Sequence, residues 1–304
     1  MANEIFVPKN FQAKTLARIE QANAIIAEYQ DRGFTLTVRQ LFYQLVSRAL
    51  IENTQDEYKR TVDIISNGRL AGLIAWNAIE DRTRYLRELS TWSDPSNIID
   101  YAAHSYREDI WARQSHRPEV WIEKDALLGV IEGVCREYRV PYFACRGNNS
   151  QSEQHKAGKR FEHWLAQGFT PTVLHLGDHD PNGLDMTRDN RERLARFARH
   201  HIEVRRLALN YDQIQQYDPP PNFAKETDSR YARYVEQYGP QCWELDALDP
   251  DVIAGLVRDA IEGLIQREPW DLALAEEQWN RDTLHKAAAK WAKVGKFLSE
   301  LLEQ

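Results

Sequence analysis

The first 85 or so residues place their apolar side chains at helical spacing, so we predict three short helices there. Asn10 is predicted to cap the first helix, and Gly33 is predicted to end it. Thr37 caps a second helix over residues 38–48, and a third helix follows Thr54. Three helices in this order suit a helix-turn-helix or winged-helix module, although many such bundles never touch DNA.

The pattern changes after residue 118, where apolar strands alternate with amphipathic helices. We predict strands at 119–122, 140–145, 172–176 and 202–209, and helices at 126–138, 153–167 and 182–200. Alternation of this kind is typical of a parallel sheet with helices on both faces. The predicted fold class is therefore α/β, preceded by an all-helical domain.

These patterns divide the chain into four predicted segments. They are a winged-helix-like domain at 1–90, a linker at 91–117, an α/β domain at 118–250, and C-terminal helices at 251–304 packed on that domain. The stretch 210–243 is rich in Tyr, Pro and Gln, so we expect mostly loop with short helices there.

The composition is that of a soluble globular protein, with 304 residues, 42% of them hydrophobic and 28% charged. No run of eighteen apolar residues occurs, and the first residues lack a basic start followed by an apolar core. We therefore expect neither a membrane span nor a secretory signal. Cys135, Cys145 and Cys242 form no CxxC pair, which is typical of the reducing cytoplasm and predicts a cytoplasmic location.

The net charge of −7 argues against a simple DNA-coating protein. Residues 1–118 contain 15 Lys+Arg and 15 Asp+Glu, whereas residues 119–304 contain 24 and 31. The acidic excess lies in the second part, as expected of a domain that gathers carboxylates for metal ions. Many ordinary soluble domains are equally acidic, so the charge gives only a weak preference.

Two aspartates follow the third predicted strand, in the sequence Leu-His-Leu-Gly-Asp-His-Asp-Pro-Asn-Gly at 174–183. Asp178 and Asp180 lie two residues apart, so in an extended chain both side chains project to the same side. Glu123, followed by Lys124, ends the first predicted strand. Because open α/β sheets bind ligands at the carboxyl ends of their strands, these three acids are predicted to converge on Mg²⁺, with Mn²⁺ as a substitute. The ordinary alternative is that strand-end acids cap the helices that follow.

The two acidic motifs, Glu123-Lys124 and Gly-Asp-x-Asp-Pro-x-Gly at 177–183, resemble those of the TOPRIM fold of topoisomerases, bacterial primase and a group of nucleases. The Asp-Pro-x-Gly form is most similar to the A subunit of topoisomerase VI and the related meiotic double-strand-break protein. Arg146 to Ser150 resembles a glycine turn of that family, and Glu244-Leu-Asp246 resembles a later acidic segment. The resemblance covers about residues 118–250.

A tyrosine motif in the second predicted helix resembles the nucleophile segment of the same family. Tyr43 matches the nucleophile and Arg39 its arginine, whereas Phe42 stands where the family usually has a second tyrosine. The core stripe of this helix consists of Val38, Leu41, Phe42 and Leu45. Tyr43 lies about 130° from the centre of that stripe, so we expect it to project toward solvent or a partner, beside Arg39.

The resemblance implies that Tyr43 attacks a DNA phosphorus to form a 5′-phosphotyrosyl bond, with Arg39 stabilising the charge. It implies that Lys124 contacts the DNA backbone, and that duplex DNA is the partner. It also implies a homodimer in which Tyr43 of one chain meets the acids of the other. A separate B-type ATPase subunit would be needed for strand passage, because the chain has no glycine-rich nucleotide loop. The candidate nucleic-acid-binding residues are Arg39, Arg48, Lys59, Arg60, Arg69 and Arg146.

Three functions remain open at this point. The first is DNA strand cleavage by tyrosine transesterification, and the second is a TOPRIM nuclease in which metal-activated water attacks. The third is a non-catalytic DNA-binding protein with a decayed TOPRIM domain, against which the intact set of Glu123, Asp178 and Asp180 argues. A covalent protein–DNA adduct distinguishes the first from the second.

Overall fold

A computed structural model of the protein describes residues 4–79, 91–145 and 150–302. In chain order the helices are α1 (Ala13–Asp31), α2 (Val38–Ser47), α3 (Gln55–Leu70), α4 (Pro95–Ser105), α5 (Leu128–Glu137), α6 (Gln151–Ala166), α7 (Pro181–Ala198), α8 (Tyr211–Tyr217), α9 (Tyr231–Tyr238), α10 (Pro250–Glu262), α11 (Arg267–Ala289) and α12 (Trp291–Leu302). The strands are β1 (His116–Ile122), β2 (Tyr142–Ala144), β3 (Thr170–Leu176), β4 (Glu203–Ala208), β5 (Asn222–Phe223) and β6 (Gln241–Cys242).

The chain forms two compact units. The first contains the described residues of 1–84, 118–167 and 171–263, and the second contains those of 85–117, 168–170 and 264–304. The N-terminal helices and the α/β segment therefore belong to one unit. One link between them is the Tyr29 hydroxyl of α1, which donates to Asp249 Oδ2 at 2.6 Å. Asp249 is the residue that caps α10.

The first three helices share one hydrophobic core, in the order that the apolar spacing predicts. Ile25 of α1, Leu41 of α2 and Ile65 of α3 are buried together in it. Thr37 closes the start of α2 with a reciprocal capping box, and Thr54 caps α3. The first helix begins three residues later than Asn10, with Gln12 at its cap position, because helix ends depend on local bonds that periodicity does not report.

The predicted α/β fold class is confirmed by a four-stranded, all-parallel sheet flanked by helices, in the order β2-β1-β3-β4. The central strands are apolar and buried, as in β1, where Val120, Trp121 and Ile122 are inaccessible to solvent. Because β2 and β4 lie at opposite edges, the chain leaves β1 and β3 in opposite directions. The carboxyl ends of β1 and β3 therefore form a topological switch point, where such sheets bind ligands.

The stretch 210–243 contains two short helices, α8 and α9, as predicted, and also the β5–β6 pair, which was not. This pair is antiparallel, with Asn222 opposite Cys242. After it, a 3₁₀ turn at Leu245–Ala247 leads into α10, which packs on α5 and β4. The pair was missed because each strand has only two residues, too few for an alternating pattern.

The second unit joins residues from the predicted linker to the C-terminal helices. Helix α4 lies within residues 91–117 and packs on α11. Trp111 and Trp270 contact edge to face with ring centroids 5.3 Å apart, and Glu277 of α11 accepts a hydrogen bond from the Glu108 backbone N–H at 2.7 Å. Of the C-terminal helices, only α10 belongs to the first unit. Among the helices in the described ranges, none has the length and apolar character needed to cross a membrane.

Candidate active site

Glu123 and Asp178 meet at the switch point of the sheet. The Glu123 backbone N–H donates to Leu176 O at 2.8 Å, which ties the end of β1 to the end of β3. The Asp178 backbone N–H in turn donates to Glu123 Oε2 at 2.9 Å. The expected proximity of these two acids is therefore present, and it follows from the pairing of their strands.

Asp180 both caps α7 and lines the cavity. Its Oδ1 accepts a hydrogen bond from the Gly183 backbone N–H at 2.6 Å, so it caps α7 as the ordinary alternative expected. It also lines the same cavity as Glu123 and Asp178. Gly183 is required at this turn, because a Cβ there would lie 2.2 Å from the carbonyl oxygen of Asp178.

Burial sets the protonation of the two adjacent carboxylates. Desolvation raises the pKa of Asp178 to about 7, opposed by the Lys124 ammonium and reinforced by the charges of Glu123 and Glu244. Burial likewise raises the pKa of Glu123, and the nearby Asp180 adds to that effect. Carboxylates that are crowded and desolvated in this way gain from a cation among them.

Lys124 supplies part of that positive charge. Its Nζ lies 2.9 Å from Asp178 Oδ1 and 2.9 Å from Asp246 Oδ1, and it also donates to Glu244. Burial alone would lower the pKa of Lys124, but Asp246, Asp178 and Glu244 together raise it above its usual value. Lys124 points inward to three carboxylates, and its contact with the DNA backbone stays a prediction.

Arg39 extends the cluster to α2. Its Nη2 lies 2.9 Å from Glu244 Oε2, and its Nε lies 2.9 Å from Asp246 Oδ2. Arg39 and Lys124 thus share the same two acids, Glu244 and Asp246. This network holds α2 against the segment before α10, and it places Arg39 beside the cavity.

Tyr43 is buried, and the prediction of an exposed tyrosine is wrong. Its side chain is only 4% exposed and packs against Phe42 and Ala247. The helical stripe identifies the face of α2 that contacts the three-helix core. It carries no information about the turn at Leu245–Ala247, which covers a second face of α2 from about two hundred residues away.

Burial also changes the acidity of the phenol. Desolvation raises the pKa of Tyr43, and the charges of Asp246 and Glu244 raise it further, while Arg39 opposes them. Tyr43 nevertheless lines the same cavity as Glu123, Asp178 and Asp180 of its own chain. The predicted arrangement across two chains remains a prediction.

The cavity has a volume of about 750 Å³ and a mostly polar lining. Besides the acids, Arg39 and Tyr43, it is lined by residues that the sequence analysis did not single out, among them Phe223, Lys225 and Arg230. Phe223 is 80% exposed, which is unusual for a phenylalanine. No sequence pattern marks these residues, because they come from the two-residue strand β5 and the loop between β5 and α9.

Arg206 is a further residue that sequence reasoning missed. Its guanidinium donates to the carbonyl oxygens of Gly177 at 2.9 Å, Asp178 at 2.6 Å and Gly183 at 2.9 Å. Burial lowers its pKa to about 10, with Glu123 and Asp178 opposing. Arg206 therefore fixes the loop that carries both aspartates. A charged residue inside the predicted strand 202–209 was the available signal.

Four of the other candidate nucleic-acid-binding residues, Arg48, Lys59, Arg60 and Arg69, lie away from the cavity lining. Arg48 forms an ion pair with Glu28 at 2.8 Å, and Arg60 forms one with Glu57 at 2.6 Å. Arg69 donates to the carbonyl oxygen of Trp76 at 3.0 Å, and Lys59 is exposed. Arg146, together with most of the glycine turn at 146–150, lies outside the described residues.

The residues at the switch point fit a hard divalent cation such as Mg²⁺. Glu123, Asp178 and Asp180 offer only oxygen donors, and burial, followed by the charge of neighbouring carboxylates, raises the pKa values of Glu123 and Asp178. The three side chains do not each place an oxygen within 4.8 Å of both others. Mg²⁺ binds through one or two carboxylates and keeps several waters, so it does not need a tighter cage.

Searches of protein-family models, curated proteins and solved structures find no match to this chain.

Proposed function

We propose that this chain cleaves phosphodiester bonds of DNA with Mg²⁺, or Mn²⁺ in its place, at a TOPRIM-type site formed by Glu123, Asp178 and Asp180. The observation that carries the proposal is the meeting of Glu123 and Asp178 at the switch point of a parallel sheet, beside a polar cavity. A bound divalent cation would offset the charge of the scissile phosphate. The N-terminal helices would act as the winged-helix-like module that presents DNA.

The cations of the cavity support a phosphate substrate. Arg39, Lys225 and Arg230 line it together with the acids, so a phosphate could be held between guanidinium or ammonium groups and the metal-binding carboxylates. Arg39 is 43% exposed at its side chain, which leaves part of the guanidinium accessible. These residues replace the more distant arginines of α2 and α3 as the best candidates for direct phosphate contact.

In the first form of the reaction, the Tyr43 oxygen attacks phosphorus. A Tyr43 O–P bond forms and the P–O3′ bond breaks, which leaves a 3′-hydroxyl and a 5′-phosphotyrosyl link. The tyrosyl proton passes through water to the leaving oxygen. The shared cavity of Tyr43 and the three acids supports this form. The resemblance to the A subunit of topoisomerase VI implies that the active species is a homodimer on duplex DNA. It also implies that ATP-driven strand passage needs a separate B-type subunit.

The burial of Tyr43 favours a second form, in which water attacks instead. A phenol that is 4% exposed and whose pKa is raised by burial is a poor nucleophile in this conformation. In hydrolysis, Asp178 and Glu123 would hold the metal ion, which would supply positive charge to the phosphate and activate water, while Tyr43 serves as a packing residue against Ala247. The cleaved DNA then has no covalently attached protein.

Cleavage of supercoiled plasmid in Mg²⁺, quenched with detergent with or without protease, separates these forms. Tyr43→Phe removes one oxygen and almost no packing, and Tyr101→Phe on the exposed face of α4 is its matched control. Transesterification predicts that Tyr43→Phe loses both cleavage and the protease-sensitive adduct. Hydrolysis predicts no adduct and a Tyr43→Phe rate within a few-fold of the parent. A parent protein that binds plasmid but leaves it uncut in both Mg²⁺ and Mn²⁺ would support a non-catalytic DNA-binding protein instead.

A further inference from the structure

A second group of ligand-type side chains lies in the second unit, on the packed helices α4 and α11. Asp100 and His104 are four residues apart on α4, so they project from the same face of that helix. His285 of α11 joins them, with the His104 and His285 ring centroids 4.6 Å apart. One potential ligand atom from each of these three residues lies within 4.8 Å of the other two.

The Nδ1 atoms of both imidazoles face the Asp100 carboxylate. His285 Nδ1 lies 2.9 Å from Asp100 Oδ1, and His104 Nδ1 lies 3.5 Å from Asp100 Oδ2. His104 Nδ1 also lies 2.9 Å from the backbone carbonyl oxygen of Asp100. A metal ion bound between these atoms would take the place of the Nδ1 hydrogens, which the oxygens of Asp100 accept without it.

We propose that Asp100, His104 and His285 bind one Zn²⁺ ion, or a similar borderline transition-metal ion, and so clamp α4 to α11. Two imidazoles and one carboxylate suit Zn²⁺, whereas Mg²⁺ prefers oxygen ligands alone. Tetrahedral Zn²⁺ needs donor atoms about 3.4 Å apart, given bonds of about 2.0–2.1 Å. The side chains of His104 and Asp100 are 67% and 51% exposed, so small rotations can close the remaining gap.

The ion would link two helices, because Asp100 and His104 belong to α4 and His285 belongs to α11. Three protein ligands leave a fourth position for water. Metal that binds the folded form more tightly than the unfolded form stabilises it by mass action. The clamp does not depend on the function proposed for the acidic cavity in the first unit.

Zinc titration of metal-stripped protein tests the proposal, in saturating Mg²⁺ and in an Asp178→Asn background, so that the acidic cavity does not contribute. We expect one Zn²⁺ per chain and a higher thermal midpoint with Zn²⁺. His104→Ala and His285→Ala should each weaken zinc binding at least 10-fold and remove the shift of the midpoint. His201→Ala, which removes an exposed histidine of the first unit, is the matched control and should bind as the parent does.

Folding of the variants is checked by their midpoints without zinc, which should stay close to that of the parent because His104 is exposed and His285 is only partly buried. If His104→Ala alone is unstable, the isosteric His104→Gln is measured instead. Zinc binding that survives in the double variant His104→Ala/His285→Ala overturns the proposal, as does a parent protein without a zinc-dependent shift.

Discussion

The acidic cavity of the first unit and the histidine cluster of the second differ in the number of charged groups that they contain and in how deeply those groups are buried. The cavity buries Asp178 and partly buries Glu123; Lys124 forms an ion pair with Asp178, and Arg39 forms one with the neighbouring Glu244. The histidine cluster is more open to solvent and contains a single carboxylate, Asp100. Buried carboxylates need positively charged side chains nearby for the chain to fold, whereas exposed ligand residues are stable without a bound ion.

Removal of Lys124 should give the largest effect. In Lys124→Met, the carboxylates of Asp178, Glu244 and Asp246 lose their shared ammonium while still mostly buried. We expect a loss of about 3 kcal/mol in the free energy of unfolding, measured by urea denaturation. Lys156→Met on the exposed face of α6 is the control and should stay within about 0.5 kcal/mol of the parent. Equal stability of both variants would show that the ammonium does not offset this charge.

The turn between Asp178 and α7 gives the next effect. Gly183→Ala places a methyl group against the immovable carbonyl oxygen of Asp178, so we expect a loss of about 2 kcal/mol and displaced aspartates. Gly133→Ala on α5 meets nothing within 4 Å and should instead stabilise the protein by about 0.5–1 kcal/mol, through helix propensity. Thermal unfolding of the two variants gives the comparison. A stability change of the same sign in both variants would contradict the close approach of the chain at Gly183.

A smaller effect is expected from the buried His175, through the dependence of the free energy of unfolding on pH. Burial, reinforced by Arg206, lowers the pKa of His175 to about 3, well below its unfolded value of about 6.5. The unfolded chain therefore binds a proton first, so stability contributed by neutral His175 is complete above pH 6.5 and is lost as the pH falls toward 3. Between pH 6.5 and 5 the loss should be about 1.5 kcal/mol.

Urea denaturation at several pH values measures this loss. His175→Asn should flatten the pH dependence over that range. A parent protein equally stable at pH 6.5 and pH 5 would mean that His175 takes up a proton in the fold.

Local pattern predicted much of this fold, and long-range contact accounts for what it missed. The period of the apolar residues located the helices around Ile25 and Leu41 and the strands around Trp121 and Leu174. The strand-end position of Glu123 and Asp178 was enough to predict that they meet. Burial of Tyr43 depends on Ala247, about two hundred residues later, and no periodicity within α2 reports such a neighbour.

The central claim is that Asp178 and its neighbours hold the metal for phosphodiester cleavage. Asp178→Asn tests it most directly, because the amide keeps an oxygen that can still accept the Leu245 N–H, now 2.7 Å from Asp178 Oδ1. With supercoiled plasmid and Mg²⁺, we predict cleavage by the parent and by the surface control Asp63→Asn, and none by Asp178→Asn at equal thermal stability. Cleavage by Asp178→Asn at the parental rate, or cleavage by the parent in excess EDTA, would contradict the account.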